Sequence, residues 1–170
     1  MSDERDEQSQ PRAVADSASE LVRWMGIADA NSAGAIHGGT VMRLVDEAAA
    51  LAGIRHSRSR VVTAGMDRMT FISPVYVGEL LRCKASINAA WRTSMEVGVR
   101  VDAENPYTSE VRHTSTAYLT MVALDEDAKP RQVPPLTVQS ELEERRQGEA
   151  ELRRKNRLAE REEILGSREG

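Results

Sequence analysis

Three stretches of strict alternation dominate the middle of the chain. Over residues 80–91, Leu81, Cys83, Ala85, Ile87, Ala89 and Trp91 alternate with Arg82, Lys84, Ser86 and Asn88. Over 95–101, Met95, Val97, Val99 and Val101 alternate with Glu96, Gly98 and Arg100, and over 111–123 the repeating set is Val111, His113, Ser115, Ala117, Leu119, Met121 and Ala123. A period of two turns one side of a segment to a core and the other outward, so all three read as strands. A further strand is predicted over 61–72, ended by Ser73-Pro74, and a short one over 21–25. The connections Val77-Gly78-Glu79, Arg92-Thr93 and Glu104-Asn105-Pro106 are short, which favours antiparallel neighbours.

Between 40 and 55 the period changes. Val41, Leu44, Val45, Ala48, Leu51 and Ala52 recur at three- and four-residue spacing, which predicts a helix with Thr40 as its N-cap and an Arg43–Glu47 pair on one flank. The order is strand, helix, then four long strands, which defines an α+β domain with one helix covering an antiparallel sheet. The core-facing arc of the helix centres on Val41, Val45, Ala48 and Ala52. Asp46 points the opposite way, yet its neighbours there are Met42, Ala49, Ala50 and Gly53. A helix apolar almost all round is buried on two sides, one against its own sheet and the other most simply against a second subunit. A carboxylate in that second interface needs a partner or a purpose, because its desolvation is costly. An edge salt bridge to an arginine is the plain alternative.

The ends differ from this core. Residues 1–17 are polar and charged and bury too little apolar surface to offset ordering entropy, so they are expected to form a mobile tail. The folded domain is expected over 18–135. Residues 136–170 read as a charged helical tail whose Leu142, Leu152, Leu158, Ile164 and Leu165 form no broad stripe. That helix is either solvated, peripherally docked, or a coiled-coil partner. The net charge of −4 argues against nucleic acid as a partner. The single cysteine, Cys83, permits no internal disulfide and lies on the apolar side of its strand. No apolar run approaches the ~18 residues that span a bilayer, and the acidic N-terminus lacks the features of a signal peptide. A cytoplasmic protein without membrane attachment is expected. The three histidines and Cys83 show no metal-ligand spacing, so no metal site is expected.

Ahead of the helix runs Asn31-Ser-Ala-Gly-Ala-Ile-His37-Gly38-Gly39. Free N–H groups at a helix N-terminus suit an oxygen that gains negative charge, and Gly38 and Gly39 allow close approach to the backbone. No Gly-Lys-Ser/Thr follows, so this is not a phosphate-binding P-loop. His37 is placed either to orient a group in such a site or to serve as a structural residue.

At this point a family resemblance appears. The segment DANSAGAIHGGTVMRLVDEAAALAGIRH resembles the hallmark segment of brain-type acyl-CoA hydrolases and their bacterial single-domain relatives in the hotdog superfamily. The similarity continues through SRVVTAGMDRMTFISPVYVGE and RTSMEVGVRV and covers residues 19–135. It implies a hotdog fold, an antiparallel sheet wrapped around one long central helix, and a homodimer built by joining two sheets edge to edge, often further assembled as a trimer of dimers. It implies hydrolysis of fatty acyl-CoA to free fatty acid and CoA, with no cofactor beyond the CoA of the substrate. Asn31 and Asp46 match the catalytic asparagine and aspartate, supplied to one site by different subunits, and backbone N–H at Gly39 and Gly38 would hold the oxyanion. For CoA itself the resemblance points to His37, Arg55, His56, Arg60, Arg92, Thr93 and Ser94. Two other readings stay open: a hotdog enoyl-CoA hydratase using His37, and a non-catalytic acyl-CoA-binding protein whose C-terminal tail meets a partner.

Overall fold

A computed structural model describes residues 10–167. Its elements are β1 (Arg12–Ala13), α1 (Val14–Ser17), β2 (Ser19–Trp24), a 3-10 turn (Ile27–Asp29), α2 (Gly38–Ser57), β3 (Arg60–Met66), β4 (Leu80–Ala90), β5 (Ser94–Glu104), β6 (Val111–Leu124), β7 (Leu136–Thr137) and α3 (Glu141–Gly166). Five strands form one antiparallel sheet in the order β2-β4-β5-β6-β3. The alternating residues do what their period predicts. Leu81, Cys83 and Ile87 of β4, Val97 and Val99 of β5, and Leu119 and Met121 of β6 are buried on one face. Against them lie Val41, Leu44, Val45, Ala48 and Ala52 of α2. A sheet wrapped around one central helix is the hotdog arrangement.

The structure moves several boundaries. α2 begins two residues earlier than the periodicity indicates, and its N-cap is His37, not Thr40. The His37 carbonyl accepts from Thr40 N–H at 3.0 Å and Val41 N–H at 3.2 Å, so the two glycines already belong to the first turn. Arg58, at a left-handed φ of 52°, ends the helix. The strand expected over 61–72 stops at Met66. Its register against β6 slips between Thr63 and Gly65, and beyond Met66 only isolated bonds track β6, Asp67 N–H to the Tyr118 carbonyl and Ile72 N–H to that of Thr114. The chain then crosses to β4 through a segment stapled by Arg112, which donates to both carboxylate oxygens of Glu79 at 2.6 and 2.7 Å and to the Pro74 carbonyl at 2.8 Å.

The expected N-terminal tail is ordered from Arg12 onward, which corrects that part of the reading. β1 pairs in parallel with β7, and Val14 and Ser17 are buried. Arg12 donates to the carbonyls of Arg55 and His56, two of the C-terminal groups of α2 that the helix leaves without intrahelical donors. Residues 1–9 of the expected tail lie outside the described residues. The C-terminal helix starts at Ser140, whose hydroxyl accepts from Glu143 N–H. It docks on the outer face of the sheet through polar groups, with Ala150 its one buried residue. Arg153 meets the fully buried carboxylate of Glu96 at 2.6 Å, and Arg157 meets Asp67 at 2.7 Å.

Candidate active site

Asp46 lies midway along α2 on the flank that faces β3. Its carboxylate is half-buried and accepts a hydrogen bond from the Thr63 hydroxyl at 2.5 Å. That contact exists because β3 runs close against α2: the Val61 side chain lies against Gly53, within 3.5 Å of where a Cβ would stand. The sequence reading missed Thr63. Its only available signal was parity, since Thr63 shares the Val61 face of the strand.

The loop before α2 is folded around Asn31. The N–H groups of Ala33 and Ala35 donate to the Asn31 side-chain oxygen at 2.9 and 3.2 Å, and Gly34 takes a φ of 82° that favours glycine. With the amide oxygen so engaged, Nδ2 makes no hydrogen bond among the described residues and remains a donor for something outside the loop. Asn31 and Asp46 share no hydrogen bond within the protomer.

At the start of α2, Gly38 and Gly39 hold first-turn amides that no intrahelical carbonyl can satisfy. The Phe71 ring comes within 3.4 Å of where a Gly38 Cβ would stand, so the strand-to-strand crossover lies over the helix N-terminus. Beside it Ile36, Val41, Phe71, Ile72 and Val75 line an open, mainly apolar cleft of about 370 Å³. His37 caps the helix through its backbone. Its ring makes no hydrogen bond among the described residues, so the imidazole–acid pair that double-bond hydration would use does not form within the protomer.

The groups expected to hold CoA separate into three sets. His56 is fully buried, and its Nε2 meets the Pro134 carbonyl at 3.0 Å. Burial drives its pKa below the ordinary histidine value. Arg55 is committed to the backbone carbonyls of Ala18 at 2.6 Å and Asp16 at 3.3 Å, where it ties the N-terminal segment to α2. Arg60 donates to the carbonyls of Asp125 and Glu126 at 2.6 and 2.7 Å and closes the turn after β6. Arg55 and Arg60 sit at helix and strand ends, where unsatisfied carbonyls recruit them. Arg92, Thr93 and Ser94 form the β4–β5 connection. The Arg92 side chain is exposed, and Ser94 lines a small cleft under α3 with Trp91 and Thr120. Cys83 is buried and its thiol pKa is pushed up to about 12, chiefly by burial, which removes it as a nucleophile. No cluster of His, Cys, Asp and Glu able to hold a metal occurs among the described residues, and no helix there is long and apolar enough to cross a membrane.

Residues 33–110, which run from the Asn31 loop through α2, β3, β4 and β5 to the residue before β6, match the model of the thioesterase superfamily. The chain belongs to that family. It is 40% identical to the protein VdlD of Helicobacter pylori over 126 residues, 74% of this chain and 71% of that one. A crystallised apo-hexameric acyl-CoA thioesterase superposes with a TM-score of 0.85 at 40% identity, covering 89% of this chain and 97% of the other. An acyl-CoA hydrolase from Staphylococcus aureus, solved with butyryl coenzyme A, coenzyme A and coenzyme A disulfide, superposes at 0.84 with 30% identity, covering 93% and 96%. Alanine variants of that enzyme have been solved at one asparagine, one aspartate and one threonine, which stand 15 and 17 positions apart in its chain.

Proposed function

We propose that this chain hydrolyses the thioester of fatty acyl-CoA to free acid and CoA, at a site completed by a second copy of itself. The observation that carries the reading is the Thr63–Asp46 hydrogen bond on the face of α2 that also bears exposed Met42. Asn31, Asp46 and Thr63 repeat the 15- and 17-residue intervals of the three positions varied in the S. aureus enzyme. Asp46 is the general base, and Thr63 orients its carboxylate.

In this reaction the oxygen of a water attacks the thioester carbonyl carbon while Asp46 takes its proton. The carbonyl oxygen becomes an oxyanion held by backbone N–H at Gly39 and Gly38. Asn31 Nδ2, which has no partner within its own loop, donates to the carbonyl or to the water. Collapse of the intermediate breaks the carbon–sulfur bond, and the proton returns from Asp46 to the departing CoA sulfur. The apolar cleft beside Gly38 suits the acyl chain.

The outer edge of β3 has no strand partner in the protomer, and Val62 beside it is exposed, as are Leu51 and Ile54 on α2. An open edge with apolar neighbours is a template for pairing. Two copies joined at β3 by a two-fold axis would make two equivalent sites, each with Asn31 from one copy and Asp46 from the other. The hexameric relative is in keeping with further assembly as a trimer of dimers. We also assign the protein to the cytoplasm, where a lone buried thiol stays reduced.

Asp46→Ala and Asn31→Ala are each expected to fold, and loss of the general base lowers the rate about 10²–10⁴-fold. Thr63→Val costs about tenfold, the worth of one hydrogen bond to a charged group. Mixing the two inactive alanine variants at equal amounts, with subunit exchange verified, restores up to about a quarter of the wild-type rate, because half the dimers then carry one intact site. No recovery after exchange overturns the shared site.

A further inference from the structure

A second cleft lies on the opposite face of the sheet from α2 and plays no part in the proposed reaction. It encloses about 560 Å³ between the outer face of the sheet and the N-terminal half of α3. That volume is within the range of small-molecule sites. Its walls carry four cations, Lys84, Arg100, Arg145 and Arg146, against two carboxylates, Glu20 and Glu149. Both carboxylates are already engaged: Glu20 by Arg82 at 3.1 Å, Glu149 by Arg145 at 3.7 Å and Arg153 at 3.9 Å. Lys84 and Arg146 form no ion pair among the described residues. On a chain of net charge −4 this is a local reversal of sign, and a concave one, which concentrates small anions.

The wall is also organised from beneath. Asp102 is 3% exposed and binds Arg100 Nε at 2.9 Å and His113 Nδ1 at 3.2 Å. The other ring nitrogen of His113 meets the Thr116 hydroxyl at 3.1 Å. One buried carboxylate thus fixes a guanidinium and, through an imidazole, a hydroxyl, and both of these line the cleft. Arginine forks joined by a hydroxyl match the oxygens of phosphoryl groups better than a lone carboxylate, which would leave most of these donors unused.

We propose that this cleft binds a small phosphoester carrying two or more phosphoryl groups. Two sources share that chemistry: a free phosphoester, or the phosphates of CoA bound at a neighbouring copy. Asp46 of the same protomer is separated from the cleft by the sheet itself. The existence of the site does not depend on the thioesterase reading.

The test is calorimetric titration of the assembled full-length protein with inorganic triphosphate in about 150 mM salt, where weak surface attraction is screened. Saturable binding with a dissociation constant below about 1 mM is expected. Lys84→Ala and Arg146→Ala, both at exposed positions, should each weaken it about tenfold without changing circular dichroism or assembly. Heat that does not saturate, or equal binding by the variants and the wild type, overturns the proposal. Steady-state kinetics of the same variants then identify the source. A KM for butyryl-CoA raised about tenfold at constant kcat assigns the cleft to the phosphates of CoA, and an unchanged KM assigns it to a free phosphoester. Absence of any thioester turnover would refute the proposed activity and leave the triphosphate result standing.

Discussion

Replacing Arg153 with methionine removes the main support of a charge that has no access to water. Glu96 is fully buried beneath α3. Its oxygens receive Arg153 at 2.6 and 3.2 Å and the Asn88 amide at 3.1 Å, with Arg157 at 3.6 Å. Taking one partner from a buried ion pair costs about 3–5 kcal/mol, because the remaining charge is left desolvated. Asn88 and Arg157 stay in place and offset part of this, so the lower end, about 3 kcal/mol, is expected for Arg153→Met. Adding Glu96→Gln removes the stranded charge and should bring stability back to within roughly 1 kcal/mol of wild type. The assay is urea denaturation at one fixed protein concentration, since assembly couples to folding. Trp91 supplies a local signal: its indole N–H donates to Glu151 at 2.7 Å and its ring lies under Arg154, so its fluorescence reports α3 leaving the sheet. A single variant that loses under 1 kcal/mol with unchanged Trp91 emission would refute the reasoning. So would a double variant no more stable than the single one.

Two further predictions concern groups inside the core. The Cys83 thiol, with its pKa near 12, should resist a thiol reagent at pH 8 in the native protein and react once the chain is unfolded; rapid native labelling would mean that the inner face of β4 opens. His56 is held below its ordinary pKa by burial, so the unfolded chain binds its proton more readily than the folded one. Its contribution to stability is full above the ordinary histidine value of about 6.5 and falls as pH drops toward the lowered native value, by up to roughly 1.4 kcal/mol per pH unit. His56→Gln should flatten that loss in denaturation midpoints measured from pH 7 to 5, and identical slopes for the two proteins would remove His56 as its cause.

The strands and the central helix were legible because burial on one face imposes a period, and Leu81 through Ile87 or Val41 through Ala52 carry it openly. The strand expected over 61–72 overran because Met69, Phe71 and Ile72 keep the composition of a strand after its ladder has ended. Order at 12–17 was hidden for another reason: it depends on β7 and on the last carbonyls of α2, partners far away in sequence. Docking of α3 left no apolar stripe to read, since Glu96 occupies an outward position that normally meets water and is covered here by arginines. Within the candidate site, Asp46 was visible through the apolar company it keeps, and Asn31 through the segment it opens. Thr63 was invisible, because a polar residue on a strand reads as surface until a neighbouring helix is placed against it. Arg55 and Arg60 look free in sequence, although the element ends where they stand hold the carbonyls that bind them.

The pairing of Asp46 with Thr63 also bears on the glycine at position 53 of α2. Gly53 stands seven residues beyond Asp46, about two turns along the same face. Val61 stands two residues before Thr63, on the same side of β3. Helix and strand therefore meet at two successive rungs, Gly53 with Val61 and Asp46 with Thr63. A Cβ at Gly53 would lie 3.5 Å from both Val61 methyl carbons and 3.8 Å from the Met121 Cβ, which leaves space for a methyl group and little more. An alanine fits there without moving the strand. A leucine would have to push Val61 outward, and two residues of strand are too short and stiff to let Thr63 stay behind. The bond to Asp46 would then lengthen. Side-chain volume two turns away along the helix is in this way a condition on the contact between Asp46 and Thr63.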